Sequence, residues 1–260
     1  MSIWGKVVGG VAGFAMGGPL GAIMGSVAGH AYDKMKEGDT PQVENNDTLQ
    51  VAFTTAIIVL SAKMAKADGT VTREEVEAFK HLFNIPAAEM KNVGRLFDEA
   101  KKDAKGFEPY AEQISMLFAH QPAVLEELLG GLFHIAGADG VIHPEELKFL
   151  RKTALIFGFT EPQFDRLKAI HMGGAGGQRR AQGGTKGGGS TAADPYQVLG
   201  ISRKATDAEV KKTYRTLIRE NHPDTLIAQG VPQEFVDVGN EKMAAINAAY
   251  DKVAKERGLK

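Results

Sequence analysis

The chain contains no cysteine. That excludes a disulfide framework and any thiolate zinc site, and it fits a reducing compartment. Net charge is almost absent as well: 31 Lys and Arg stand against 32 Asp and Glu, for a formal charge of -1. No global field therefore draws the chain to nucleic acid, and none is expected as a partner. Catalytic signatures are missing too. His81, His120, His134, His143 and His171 are scattered, with no HExxH, CxxC or GxSxG pattern around them, so they read as surface or packing residues and the chain does not read as an enzyme. No cofactor is expected. What the chain has in excess is glycine, 31 residues, nine of them within 5–29 and nine within 173–189. Composition alone thus divides it into unlike parts.

Residues 7–32 carry no Lys, Arg, Asp or Glu. As a helix rising about 1.5 Å per residue they reach across a hydrocarbon core of roughly 30 Å. Gly5, Gly9, Gly13, Gly17, Gly21, Gly25 and Gly29 recur at a constant spacing of four. Small residues so spaced form a groove in which helix backbones approach closely within lipid. We expect residues 1–34 to be a single-span membrane anchor that also self-associates as a homodimer. Pro19 leaves open a shallow hairpin, and glycine's weak helix propensity leaves open a soluble tail. A cleaved signal peptide fits less well, because the segment is long and no small-x-small site leads into a mature start. Lys34 and Lys36 follow the span while Lys6 precedes it. The positive-inside tendency then puts a short N-terminus outside and the bulk of the chain in the cytoplasm.

After a polar linker at 35–48, residues 49–172 turn helical in pattern. Thr48 is placed to cap a helix over Leu49–Lys66 with Phe53, Ile57, Leu60 and Met64 at helical spacing. Further helices are predicted over 73–84, 87–104, 107–119, 122–137, 144–157 and 161–171. With no convincing strand, the fold class is all-α, a helical bundle. An internal repeat appears at an offset of 71: Ala65-Lys-Ala-Asp68-Gly69-Thr-Val71-Thr72-Arg-Glu-Glu75 matches Ala136-Gly-Ala-Asp139-Gly140-Val-Ile142-His143-Pro144-Glu-Glu146. Gly69 and Gly140 suit left-handed turns, Thr72 and Glu75 a capping box, and Pro144 a first helical position. Asp68, Glu75, Asp139 and Glu146 would suit a hard cation if the halves packed face to face. The stronger reading is plain turn and cap chemistry, since the full EF-hand ladder is absent. On its two Ala-Asp-Gly turns this region resembles the TerB-like domain, a helical module of tellurite-resistance proteins. The resemblance implies envelope-linked or stress-related assemblies.

Residues 173–191 are dominated by glycine and read as a flexible tether with an r.m.s. reach of roughly 25 Å. The last part, 192–260, opens with Asp194-Pro195-Tyr196-Gln-Val198-Leu199-Gly200-Ile201. Pro195 fits a helix start and Gly200 a stop. Thr206 and Glu209 have capping-box spacing before a helix whose apolar face is Val210, Tyr214, Leu217 and Ile218. Lys211, Lys212, Arg215 and Arg219 make its outer surface basic. Asn221-His222-Pro223-Asp224 breaks that helix, and a third helix is predicted from Pro232 to Glu256. The D-P-Y-x-V-L-G-I start, the K-K-x-Y-R-x-L helix, the HPD loop and the I-N-x-A-Y segment together resemble a J domain. The order of membrane span, TerB-like domain, glycine-rich tether and terminal J domain, together with the extension Leu226–Pro232, resembles the membrane-anchored, DjlA-like branch of the DnaJ family.

That resemblance implies an inner-membrane co-chaperone with a cytoplasmic J domain and an Hsp70 of the DnaK type as partner. His222, Pro223 and Asp224 would contact Hsp70, with Lys211, Lys212, Arg215 and Arg219 steering toward an acidic patch on it. Tyr196, Leu199, Tyr214, Leu217 and Tyr250 would support the J-domain core. The zinc-binding cysteines and peptide-binding β domains of full DnaJ are absent. An alternative reading is a membrane scaffold or envelope-stress signalling protein, acting through the middle domain and anchor-mediated dimerisation.

Overall fold

A computed structural model describes residue 21 and residues 46–68, 72–83, 85–102, 106–179 and 193–259. The expected anchor, and with it the glycine series apart from Gly21, lies outside the described residues. So do residues 180–191 of the tether and residue 192.

Seven helices form the middle domain: α1 Asn46–Asp68, α2 Arg73–Phe83, α3 Met90–Lys102, α4 Glu108–Leu117, α5 Pro122–Ala136, α6 Pro144–Ile156 and α7 Glu161–Arg179. Among the described residues there is no strand. The bundle is organised around α1, against which α3, α4, α5 and α6 all pack. Every position from Val51 to Met64 is buried. The helix is therefore surrounded, rather than resting on one apolar stripe as its spacing predicts, which is what a helix apolar on all sides requires. Leu49–Lys66 is long and apolar enough to cross a membrane, yet 83% of it is buried within the protein. It is the core helix of this bundle. Its start differs from expectation: α1 begins at Asn46, so Thr48 lies inside the helix and is not its cap.

Both repeat copies carry the predicted caps. Thr72 N donates to Glu75 Oε2 at 2.8 Å, and Glu75 N donates to Thr72 Oγ1 at 3.2 Å. His143 N donates to Glu146 Oε2 at 2.8 Å ahead of Pro144. Gly140 takes φ +91°, a left-handed value that other residues adopt at a cost. Gly69 lies outside the described residues. Helix α7 continues to Arg179, eight residues beyond the predicted end at His171. Each glycine there costs a helix about 1 kcal/mol relative to alanine, which is why the sequence pattern ends early.

The C-terminal domain comprises α8 Pro195–Leu199, α9 Asp207–Glu220, α10 Pro223–Ala228, a 3-10 turn Gln233–Phe235 and α11 Val236–Arg257. The sequence pattern places no helix between the HPD loop and Pro232; Pro223–Ala228 is instead a short helix, with Pro223 at its first position. Asp194 Oδ1 accepts from Tyr196 N at 3.1 Å to start α8. Thr206 and Glu209 close the predicted capping box on α9. The core joins Tyr196, Leu199, Val210 and Leu217 to Ile246, Ala249 and Val253 of α11. Arg257 pins the opening of the domain to its end: it donates to Tyr196 Oη at 2.9 Å, to the carbonyls of Ala205 and Arg203 at 2.6 Å each, and to Asp207 Oδ1 at 3.2 Å.

Candidate functional site

The HPD tripeptide stands where α9 ends and α10 begins. Asn221 caps α9 and is buried, its Nδ2 donating to Leu217 O at 2.7 Å. His222 is extended at φ -67°, ψ 134°, and its Nδ1 accepts from Asp224 N at 3.2 Å. The ring thus caps α10 and fixes its own attitude. Thr225 Oγ1 donates back to Arg219 O at 3.3 Å, which ties the new helix to the old one. The side chains of His222 and Asp224 remain 50% and 90% exposed. This is a rigid backbone corner presenting an imidazole and a carboxylate to solvent, His222 Nδ1 and Asp224 Oδ2 lying 3.8 Å apart. It can bind a partner surface.

Lys212, Arg215 and Arg219 are exposed along α9, and Lys211 is half-buried beside them. Positions 211, 215 and 219 lie four apart, so one face leads down to the HPD corner. Behind that face Tyr214 stacks on Tyr250 of α11, with centroids 3.9 Å apart and an interplanar angle of 12°, and Tyr214 Oη donates to Asn247 Oδ1 at 3.0 Å. The expected supports, Tyr196, Leu199, Tyr214, Leu217 and Tyr250, all belong to this core or pack on it.

Comparison with known proteins agrees with this geometry. Residues 194–257 match the DnaJ domain, residues 54–169 match the tellurite resistance protein TerB, and residues 1–46 match the co-chaperone DjlA transmembrane domain. The chain is 33% identical to a co-chaperone protein DjlA of Photobacterium profundum, over 99% of this chain and 100% of that one. The chain belongs to the DjlA family. It is also 33% identical to the Shewanella oneidensis co-chaperone protein DjlA over the full length of both, and 29% identical to that of Coxiella burnetii over 98% of each. No solved structure matches the chain. The middle bundle is thus a TerB domain and the C-terminal part a J domain, in a chain whose N-terminal residues match a membrane domain.

Of the acidic repeat residues, Glu75 and Glu146 line one cavity and Asp139 does not join them. Asp139 is spent on its own turn, Oδ1 accepting from Val141 N at 2.8 Å. The side chain of Asp68 lies outside the described residues. Glu75 and Glu146 do face one another's half, lining a cavity of about 260 Å³ whose other walls include Met64, Phe79 and Phe97. Among the described residues no group of three or more potential metal ligands forms.

What sequence reasoning missed is the contact between the two domains. Leu226, Val231 and Phe235 belong to the TerB core and not to the J-domain core. Phe235 is fully buried, its ring 4.6 Å from that of Phe53 and 5.2 Å from that of Phe83. Beside it Lys242 Nζ, 1% exposed, lies 2.6 Å from Glu126 Oε1 and 2.7 Å from Glu127 Oε1. Arg166 Nη2 holds both oxygens of Glu126 at 2.7 Å. Burial alone would raise the Glu126 carboxyl, but the charges of Lys242 and Arg166 outweigh it and bring the pKa from 4.5 down to about 2. Burial likewise opposes the Lys242 ammonium, and the two glutamates outweigh it, holding its pKa above the ordinary value. One signal of this contact was present in the sequence: Glu126-Glu127 interrupts the apolar run of α5.

Proposed function

We propose that the chain is a membrane-held co-chaperone that stimulates ATP hydrolysis by a DnaK-type Hsp70 and brings it to the cytoplasmic membrane face. The exposed HPD corner at the foot of a basic helix carries this reading. A rigid imidazole and carboxylate offer hydrogen-bonding groups of fixed geometry, while Lys212, Arg215 and Arg219 supply a field that attracts an acidic partner and speeds encounter. The role is allosteric: tighter binding to one state of Hsp70 shifts its population toward hydrolysis and closure on peptide. The protein is a regulator and carries out no chemistry of its own.

The glycine-spaced segment supports an inner-membrane span that packs on its copy, and Lys34 with Lys36 supports a periplasmic N-terminus. Single-turnover ATP hydrolysis by Hsp70 tests the central claim. Full chain should accelerate it and His222→Gln should not, with both proteins giving the same circular dichroism. A wild-type protein that is folded yet leaves the cognate Hsp70 rate unchanged would defeat the reading. Protease protection of the J domain in intact spheroplasts tests the orientation.

A further inference from the structure

The glycine-rich sequence between the domains would let the J domain stand free, yet the J domain is seated on the TerB bundle by residues that its own fold does not need. The J-domain core is built from α8, α9 and the later part of α11, with Ile170 of α7 packed into it. Phe235 and Lys242 take no part in it. An isolated J domain would leave a phenylalanine and a lysine on its surface; here both are at most 1% exposed.

They are seven residues apart across the start of α11, which puts them two turns from each other on one face. The bundle meets that spacing with two matched features. The first is an aromatic socket from Phe53 and Phe83, floored by Gly131, where an added Cβ would come within 2.7 Å of the Phe235 ring and 2.5 Å of Ile57. The second is the carboxylate pair Glu126 and Glu127, held ready by Arg166. A third fit lies at Gly230, where a Cβ would stand 2.3 Å from that of Leu49.

We propose that the TerB domain is a binding module for an amphipathic helix bearing an aromatic ring and, seven residues on, a lysine. Its resident ligand is the Gly230–Lys242 segment of this chain's own J domain. The ring supplies desolvated apolar area and edge-to-face contacts. The lysine supplies direction, because a carboxylate pair accepts only a cation at that distance from the socket. Helix α10 joins the latch to the HPD corner. Leu226, two residues after Asp224, is 1% exposed in the TerB core, so docking fixes the attitude in which His222 and Asp224 are presented.

The test uses the full chain in detergent, with a protease site inserted between Arg180 and Thr191. After cleavage the J fragment should stay with the remainder through gel filtration at micromolar concentration. Phe235→Ala and Lys242→Ala should each weaken that retention about a hundredfold, whereas Lys252→Ala, on the exposed side of α11, should leave it unchanged. A synthetic peptide of residues 223–245 should displace the fragment, and the same peptide with Phe235→Ala should not. Circular dichroism of each released fragment shows whether its fold survives, and Phe235→Leu, which keeps an apolar side chain, should weaken retention only about tenfold. A wild-type fragment that elutes free, or Phe235 and Lys242 variants retained as well as wild type, would overturn the proposal. None of these readouts depends on Hsp70.

Discussion

Lowering the pH from 7 to 5 should destabilise the docked structure through His171. This ring stacks on Phe133, with centroids 5.6 Å apart and 6° between planes, and its Nε2 is buried without a hydrogen-bond partner. Burial, then the Lys242 charge, then His134 push its pKa down from 6.5 to about 3; Glu126 pulls weakly the other way, and Arg166 adds to the depression. The folded state therefore keeps His171 neutral while the unfolded chain takes up a proton below pH 6.5. A depressed folded pKa gives stability that is complete above 6.5 and is lost as pH falls toward 3. At pH 5, 1.5 units below the unfolded value, the loss is about 2 kcal/mol at 1.36 kcal/mol per unit. Urea unfolding followed by circular dichroism at both pH values, in wild type and in His171→Phe, measures it. Phenylalanine keeps the stack on Phe133 and cannot titrate. The variant should thus gain about 2 kcal/mol on wild type between pH 7 and pH 5. Equal sensitivity of the two proteins would mean that the ring is hydrated when folded, and the reasoning would fail.

Three further outcomes follow from the same contacts. Lys242→Met should cost about 3–5 kcal/mol in thermal or urea unfolding, because it strands Glu127 in a fully buried position; replacing Glu127 by Gln in the same protein should recover part of that loss. Gly230→Ala, at φ +95° and in close contact with Leu49, should lose about 1–3 kcal/mol and raise hydrogen exchange around Val231–Phe235. Arg257→Ala removes four hydrogen bonds that join the two ends of the J domain and should lower its stability by about 1–3 kcal/mol. Hsp70 stimulation should then fall on warming before the TerB domain melts.

Much of this arrangement was legible because local chemistry writes it directly into sequence. Capping boxes at Thr72 and Thr206, Pro at 144 and 195, and the turn at Asp139-Gly140 each involve residues only a few positions apart. Neighbours in sequence are neighbours in space there whatever the tertiary fold. The HPD corner is of the same kind, since His222, Pro223 and Asp224 settle their own geometry. The domain contact is different. Lys242 and Glu127 are 115 residues apart, and nothing local distinguishes a lysine destined for burial from one on a solvated face. Phe235 misled for a related reason. Its apolar character is plain within the predicted Pro232–Glu256 helix, but periodicity reports that a residue is buried and not which core receives it.

An ion cluster at the junction also gives docking a direction of response to acid. In apolar contact alone, Leu226, Val231 and Phe235 would hold the J domain with no dependence on pH. Lys242 changes that because it faces Glu126 and Glu127 on one side and raises the cost of protonating His171 on the other. Protonating Glu126 removes an attraction for Lys242, a loss that falls between the unfolded pKa of 4.5 and about 2. Protonating His171 adds a repulsion, and its window opens earlier, below 6.5. Both groups therefore act in the same sense, and release of the J domain should begin with His171 and finish with Glu126. Retention of the cleaved fragment, followed from pH 7 to pH 4, should weaken in His171 wild type first and in His171→Phe only at the lower end. Retention that strengthens with acid would show that Lys242 is not the charge that governs the junction.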